Sequence, residues 1–157
     1  MATTAAVWWF VRVGEVPGVA VGEAAPRIVG TTLDGEPFDL ADYAGRPVIL
    51  NFWGPTCIPC RDEFPLLASK LTEHADDHLA VVGILTDDPV PLARDFVAEF
   101  GATWPTVEDP DKTTKTTYRV LGRPQSFFID VAGIVRSVQI GEVRDTDFET
   151  QYARIAP

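Results

Sequence analysis

A near-continuous apolar run, Pro47-Val-Ile-Leu-Asn-Phe-Trp53, leads through Gly54-Pro-Thr into Cys57-Ile-Pro-Cys60 and then into a helical pattern. A strand of that composition must be covered on both faces, which calls for layers above and below a sheet. Beyond Cys57 the apolar positions Phe64, Leu67, Ala68 and Leu71 recur at three- and four-residue spacing, which predicts a helix to about Ala75. The chain therefore puts two thiols where a buried strand turns into a helix. At 157 residues it fits one domain with a core of its own. Its two cysteines cannot form a disulfide-stapled scaffold. A single C-x-x-C is a metal half-site or a redox couple far more often than a structural bridge.

The rest of the pattern predicts an α/β fold. Arg27 to Leu40 reads as a β-hairpin turning at Asp34-Gly35, and Ala41 to Gly45 as a short helical turn. Leu79 to Thr86 is a second buried strand. Pro91 to Phe100 is a helix closed by Gly101, and Thr113 to Tyr118 a short helix. Ser126 to Asp130 and Ile134 to Ile140 are strands joined at Val131-Ala-Gly133, and Thr146 to Ile155 is a closing helix. This order predicts a central mixed β-sheet flanked by helices, with an N-terminal β-hairpin extension.

Residues 22–157 are expected to form the domain, and residues 1–21 an apolar stub and linker. Ala5 to Val11 is apolar but stops at Arg12, short of the roughly 20 residues a membrane span needs. It has neither the basic start nor the cleavage site of a signal peptide. Trp8, Trp9 and Arg12 resemble the interfacial end of a membrane helix. The segment reads as the stub of a membrane anchor, or else as an edge strand or disordered arm. A net charge of −10, spread without an acidic tail, excludes a nucleic-acid binder and serves solubility.

Cys57 and Cys60 stand three apart, so on a helix they share a face and their sulfurs can bond. Cys57 at the helix N-terminus would meet unpaired N–H groups and the positive end of the dipole, which favour a thiolate and make it the nucleophile. Cys60, one turn further in, suits the resolving role. Pro59 fits the first turn, where its missing N–H costs nothing. Glu63 lies a further three residues along the same face. It is either the acceptor of the Cys60 proton or a solvated surface carboxylate.

The spacing Cys57-x2-Cys60-x13-His74-x3-His78 also fits a two-Cys, two-His zinc site. A single helix from 57 to 75 would hold His74 about 20 Å from Cys60, at ~1.5 Å per residue. No metal site is therefore expected, and His74 and His78 are read as exposed residues near a helix end. Pro124, in Gly122-Arg-Pro-Gln-Ser126, precedes the strand Phe127-Phe-Ile129 and is a candidate for a cis bond.

Two segments, Asn51-Phe-Trp-Gly-Pro-Thr-Cys-Ile-Pro-Cys-Arg-Asp-Glu-Phe-Pro65 and Arg123-Pro-Gln-Ser-Phe-Phe-Ile-Asp130, resemble the TlpA/ResA-like thiol-disulfide oxidoreductases of the thioredoxin superfamily. The resemblance runs from about Gly22 to the C-terminus. It implies a thioredoxin fold, with Cys57 as nucleophile, Cys60 as resolving cysteine and Glu63 tuning the pair. It implies that Pro124 is cis and faces the disulfide. Substrate would be held around Pro124, Arg123, Trp53 and Thr56. No cofactor beyond the Cys57–Cys60 disulfide is implied.

Proteins of this kind usually work outside the cytoplasm, often tethered to the membrane. They act on protein disulfides, many on apocytochrome c or other exported proteins, and draw electrons from a membrane or soluble thiol donor. Three positions depart from the family pattern. Thr56 stands where Trp is common, which shrinks the platform beside the nucleophile, and Ile58 stands where Pro or Glu is usual. Arg123 replaces an apolar residue. Aimed at the site it would stabilise the Cys57 thiolate and push the couple toward oxidation. It is expected instead to face solvent.

The leading reading is a dithiol reductant. A dithiol oxidase would need a much higher potential. A peroxiredoxin-like peroxidase would consume hydrogen peroxide without Cys60, and a non-catalytic thioredoxin-like binding module would keep full function as Cys57→Ser.

Overall fold

The structure, a computed structural model, describes residues 19–157. The segment Ala5–Val11, expected as an anchor stub, lies outside them. The central sheet grows from β3 (Val48–Trp53), every residue of which is buried. Alternate residues of β3 serve the two faces, so a strand with no polar side needs cover on both. Ile49 and Trp53 point into one core with Phe64, Phe96, Phe128 and Phe148. Val48, Leu50 and Phe52 point into a second core with Phe38, Tyr118 and Phe127.

The remaining elements follow in order. A hairpin of β1 (Val29–Thr31) and β2 (Pro37–Asp39) opens the domain and leads through a 3-10 turn, Leu40–Tyr43, into β3. Then come α1 (Ile58–Glu73), β4 (Ala80–Leu85), α2 (Val90–Phe100), β5 (Thr106–Glu108) and α3 (Thr113–Thr117). The chain closes with β6 (Gln125–Ile129), β7 (Val135–Ile140) and α4 (Asp145–Tyr152). The five-stranded sheet has the order β5-β4-β3-β6-β7, with β3, β4 and β5 parallel and β6 and β7 antiparallel to their neighbours. This is the predicted mixed sheet with helices on its faces and the hairpin as its extension. β5 was not predicted: it is three residues long and bracketed by Pro105 and Pro110, too short to show a period.

Two contacts fix the outer elements. The ammonium of Lys70 in α1 is buried and pairs with Glu149 and with Asp145 at 2.9 Å, which clamps α4 to α1. On the other face Tyr118 packs its ring on Phe52 and Phe127, with centroids 5.5 and 5.1 Å away. Its hydroxyl donates to the Pro26 carbonyl at 2.6 Å and so pins the segment entering the hairpin. Tyr118→Phe keeps the ring and removes only this bond. It should lower the unfolding free energy by about 1 kcal/mol, read from a shifted urea midpoint at unchanged slope.

Candidate active site

At the C-terminal end of β3 the chain turns through Gly54-Pro-Thr and enters α1 at Cys57, which caps the helix with extended backbone angles, φ −88° and ψ 109°. The Cys57 sulfur accepts the Cys60 N–H at 3.3 Å, one of the donors a helix start leaves unpaired. Pro59 occupies the first turn. Cys57 and Cys60 form a disulfide, with Cα atoms 5.3 Å apart. The two sulfurs differ in access: Cys57 keeps 7% of its surface exposed and Cys60 none. Only the first can be reached by a protein substrate.

Glu63 is not a surface residue. It is fully buried, with one carboxylate oxygen accepting from Asn51 Nδ2 at 2.7 Å and the other from the Val143 N–H at 3.0 Å. Burial pushes this carboxyl up to about 7, against the opposing pull of those two donors. Glu142 nearby adds to the rise. Asn51 also donates to the Ser126 hydroxyl at 3.0 Å, while its own carbonyl oxygen has no partner among the described residues. The solvated alternative therefore falls, because β3 and the strand-to-helix turn after β7 close over this face of α1. Sequence reasoning missed Asn51, although a single amide inside an apolar strand marked it; nothing marked Val143.

The third part of the site is the turn before β6. Antiparallel pairing of Phe52 with Gln125 brings Pro124 to the end of β3. The Arg123–Pro124 bond is cis, Pro124 is buried, and its carbonyl accepts from the Gly141 N–H at 2.8 Å. Arg123 does not face solvent. Its guanidinium donates to Asp88 at 2.7 Å, to the Thr56 hydroxyl at 2.9 Å and to the Thr86 carbonyl. Asp88 was not singled out from the sequence, since Asp87-Asp88 before Pro89 has the look of a solvated turn.

Two further expectations need correction. Trp53, read as a substrate contact, is fully buried. Its ring lies 4.7 Å from Phe64 and 4.9 Å from Phe96, because strand parity aims it under α1. It supports the site from below. His74 is not exposed either: α4 lays Tyr152 against it at 3.9 Å between ring centroids. His78 is exposed as expected. Cys57 and His74 cap opposite ends of α1, so the zinc spacing never converges.

Comparison with known proteins agrees with this geometry. A model of the AhpC/TSA family matches residues 21–138. The thiol-disulfide oxidoreductase ResA of Geobacillus kaustophilus is 33% identical over 143 residues, 91% of this chain and 82% of the relative. A thioredoxin-family thiol:disulfide interchange protein from Chlorobium tepidum is 27% identical with a TM-score of 0.78, covering 87% of this chain and 97% of that one. A secreted Mycobacterium tuberculosis disulfide oxidoreductase, described as homologous to E. coli DsbE, is 26% identical with a TM-score of 0.72, covering 80% and 94%. The chain thus belongs to the AhpC/TSA family and, within the thioredoxin superfamily, to its ResA-like thiol-disulfide oxidoreductases.

Proposed function

We propose that this oxidoreductase works as a dithiol reductant of disulfides in exported proteins, apocytochrome c among the candidates. Reduced Cys57 attacks a substrate disulfide. One substrate sulfur leaves as a thiol, and a mixed disulfide forms. Cys60 gives its proton to Glu63 and attacks the Cys57 sulfur, which releases the second substrate thiol and regenerates the Cys57–Cys60 disulfide. Two electrons have then passed to the substrate, and a membrane or soluble thiol donor must restore them. The chemistry is carried by the cysteine pair without a further cofactor. Pro124 and Thr56 form the rim along which the substrate chain lies.

The observation that supports this direction is the ion pair of Arg123 with Asp88 at 2.7 Å. An unpaired guanidinium beside Cys57 would favour the thiolate and make the couple oxidising; the carboxylate offsets it. We place the reaction on the periplasmic or cell-surface side, as for the secreted M. tuberculosis relative. No helix of the described residues is long and apolar enough to cross a membrane.

The test is the reduction potential of the pair, by thiol trapping and mass spectrometry across a dithiothreitol series. A value at or below about −230 mV is expected, and one near about −120 mV would make the protein an oxidant. Rapid hydrogen peroxide consumption by the Cys60→Ser protein would turn the reading to a peroxidase.

A further inference from the structure

Asp88 opens the turn after β4 and keeps only 7% of its side chain exposed. Every bond it makes serves the redox centre. One oxygen accepts from the Thr56 N–H at 3.1 Å and from Arg123 at 2.7 Å, and the Thr56 hydroxyl donates to the other at 2.8 Å. Its neighbour Asp87 is committed elsewhere, to Lys112 at 2.9 Å and to Lys115. Gly54 is the floor of the cluster. A Cβ there would come within 2.1 Å of an Arg123 nitrogen and 2.4 Å of an Asp88 oxygen, so only glycine admits the pair this close to the chain. Thr86 anchors the same turn from behind, its N–H and hydroxyl both donating to the Trp53 carbonyl at 2.9 and 3.1 Å.

Three loops therefore meet on one carboxylate: the entry to α1, the turn after β4 and the turn before β6. The first carries Thr56, which immediately precedes Cys57. The third carries Arg123, which immediately precedes the cis Pro124. Fixing the Thr56 N–H fixes the backbone that delivers the nucleophile. Pairing the guanidinium removes a positive charge that would otherwise bias Cys57 toward its thiolate. The small Thr56 side chain fits inside this network, accepting from Arg123 at 2.9 Å and donating to Asp88 at 2.8 Å.

We propose that Asp88 is a positioning residue that sets the redox balance of the Cys57–Cys60 pair, by holding Arg123 against Thr56 and cancelling its charge beside the nucleophile. The proposal rests on the reading of the pair as a cycling dithiol, and it assigns to Asp88 and Arg123 opposite electrostatic effects. Without Asp88 the guanidinium stands unpaired and the reduced, thiolate-bearing form gains. Without Arg123 the carboxylate stands unpaired and the reduced form loses.

Four proteins test it: wild type, Asp88→Asn, Arg123→Gln and the double variant. Each is equilibrated at pH 7 and low salt with dithiothreitol and its cyclic disulfide. Dithiothreitol is oxidised to its ring and gives up two electrons and two protons. The Cys57–Cys60 bond breaks and both electrons pass to the cysteines; one proton ends on Cys60 and the other is released to solvent as Cys57 stays a thiolate. The oxidised fraction is read by alkylation and mass spectrometry. Asp88→Asn should shift the equilibrium toward the reduced protein by about tenfold, ~30 mV more oxidising for a two-electron couple. Arg123→Gln should shift it several-fold the other way, and the double variant should return to within about twofold of wild type.

Loosening of the loops alone would move both single variants in the same direction, and that result overturns the proposal. So does a shift below twofold in both. Should Asp88→Asn fail to fold, Arg123→Gln still decides the sign, because it leaves Asp88 in place. Failure of the wild type to form the intramolecular disulfide at all would overturn the redox reading instead, which keeps the two failures distinct.

Discussion

The Cys60→Ser protein is expected to accumulate as a covalent complex with its substrates, and the Cys57→Ser protein to form none. The asymmetry comes from where α1 begins. Cys57 is the capping residue, its sulfur facing the unpaired N–H groups of the first turn and partly open to solvent. Cys60 is sealed. A substrate disulfide can therefore be opened only by Cys57, and the resulting bond persists unless a second thiol reaches it from inside. Serine cannot supply that thiol, so turnover should fall to the uncatalysed background while the first step survives. Non-reducing electrophoresis followed by mass spectrometry would show the bands in the Cys60 variant and locate the bond at Cys57. Bands in the Cys57 variant instead would exchange the two roles.

What was legible in the sequence and what was not divides along lines of range. The strand–turn–helix around the cysteines is written locally: β3 shows its burial as an apolar run broken only by Asn51, and α1 shows its inner face in Phe64 and Leu67. The proposed roles of Cys57 as nucleophile and Cys60 as resolving cysteine rest on those elements alone. The partners that give the site its electrostatics come from far along the chain. Val143 reaches Glu63 across 80 residues, and Asp88 meets Arg123 across 35. No periodicity announces such pairs, which is why Glu63 was left between two roles and Arg123 was turned the wrong way. Trp53 failed for a different reason. The family resemblance implied contact with substrate, but the parity of β3 puts residues 49, 51 and 53 on one face, beneath α1. Counting from Ile49 would have buried it. The same count places Asn51 under the helix, opposite Glu63, and so held the one local clue to the buried carboxyl.

Glu63→Gln should change both the pH dependence of stability and the rate of the resolving step. The native protein holds the Glu63 proton up to about pH 7, whereas an unfolded chain releases it near 4.5. Between those values the native state binds more protons than the unfolded one, so this carboxyl makes stability fall as pH rises, by on the order of 3 kcal/mol in all. Below pH 4.5 it contributes no such slope. Glutamine cannot titrate. It loses one of two accepted hydrogen bonds, at a cost of about 1 kcal/mol, yet the variant should still be the more stable protein at pH 8 in urea unfolding. In the proposed mechanism the ionised Glu63 takes the Cys60 proton, and the protonated form would donate to Asn51 once that amide rotates and presents its oxygen. Release of substrate from the mixed disulfide should accordingly speed up through about pH 7 in the wild type. In the variant it should be flat and slower by on the order of 10²-fold, the usual worth of a positioned base. An unchanged profile in single-turnover release would remove Glu63 from the proton path, and an unchanged slope of stability against pH would show that the buried carboxyl ionises like an exposed one.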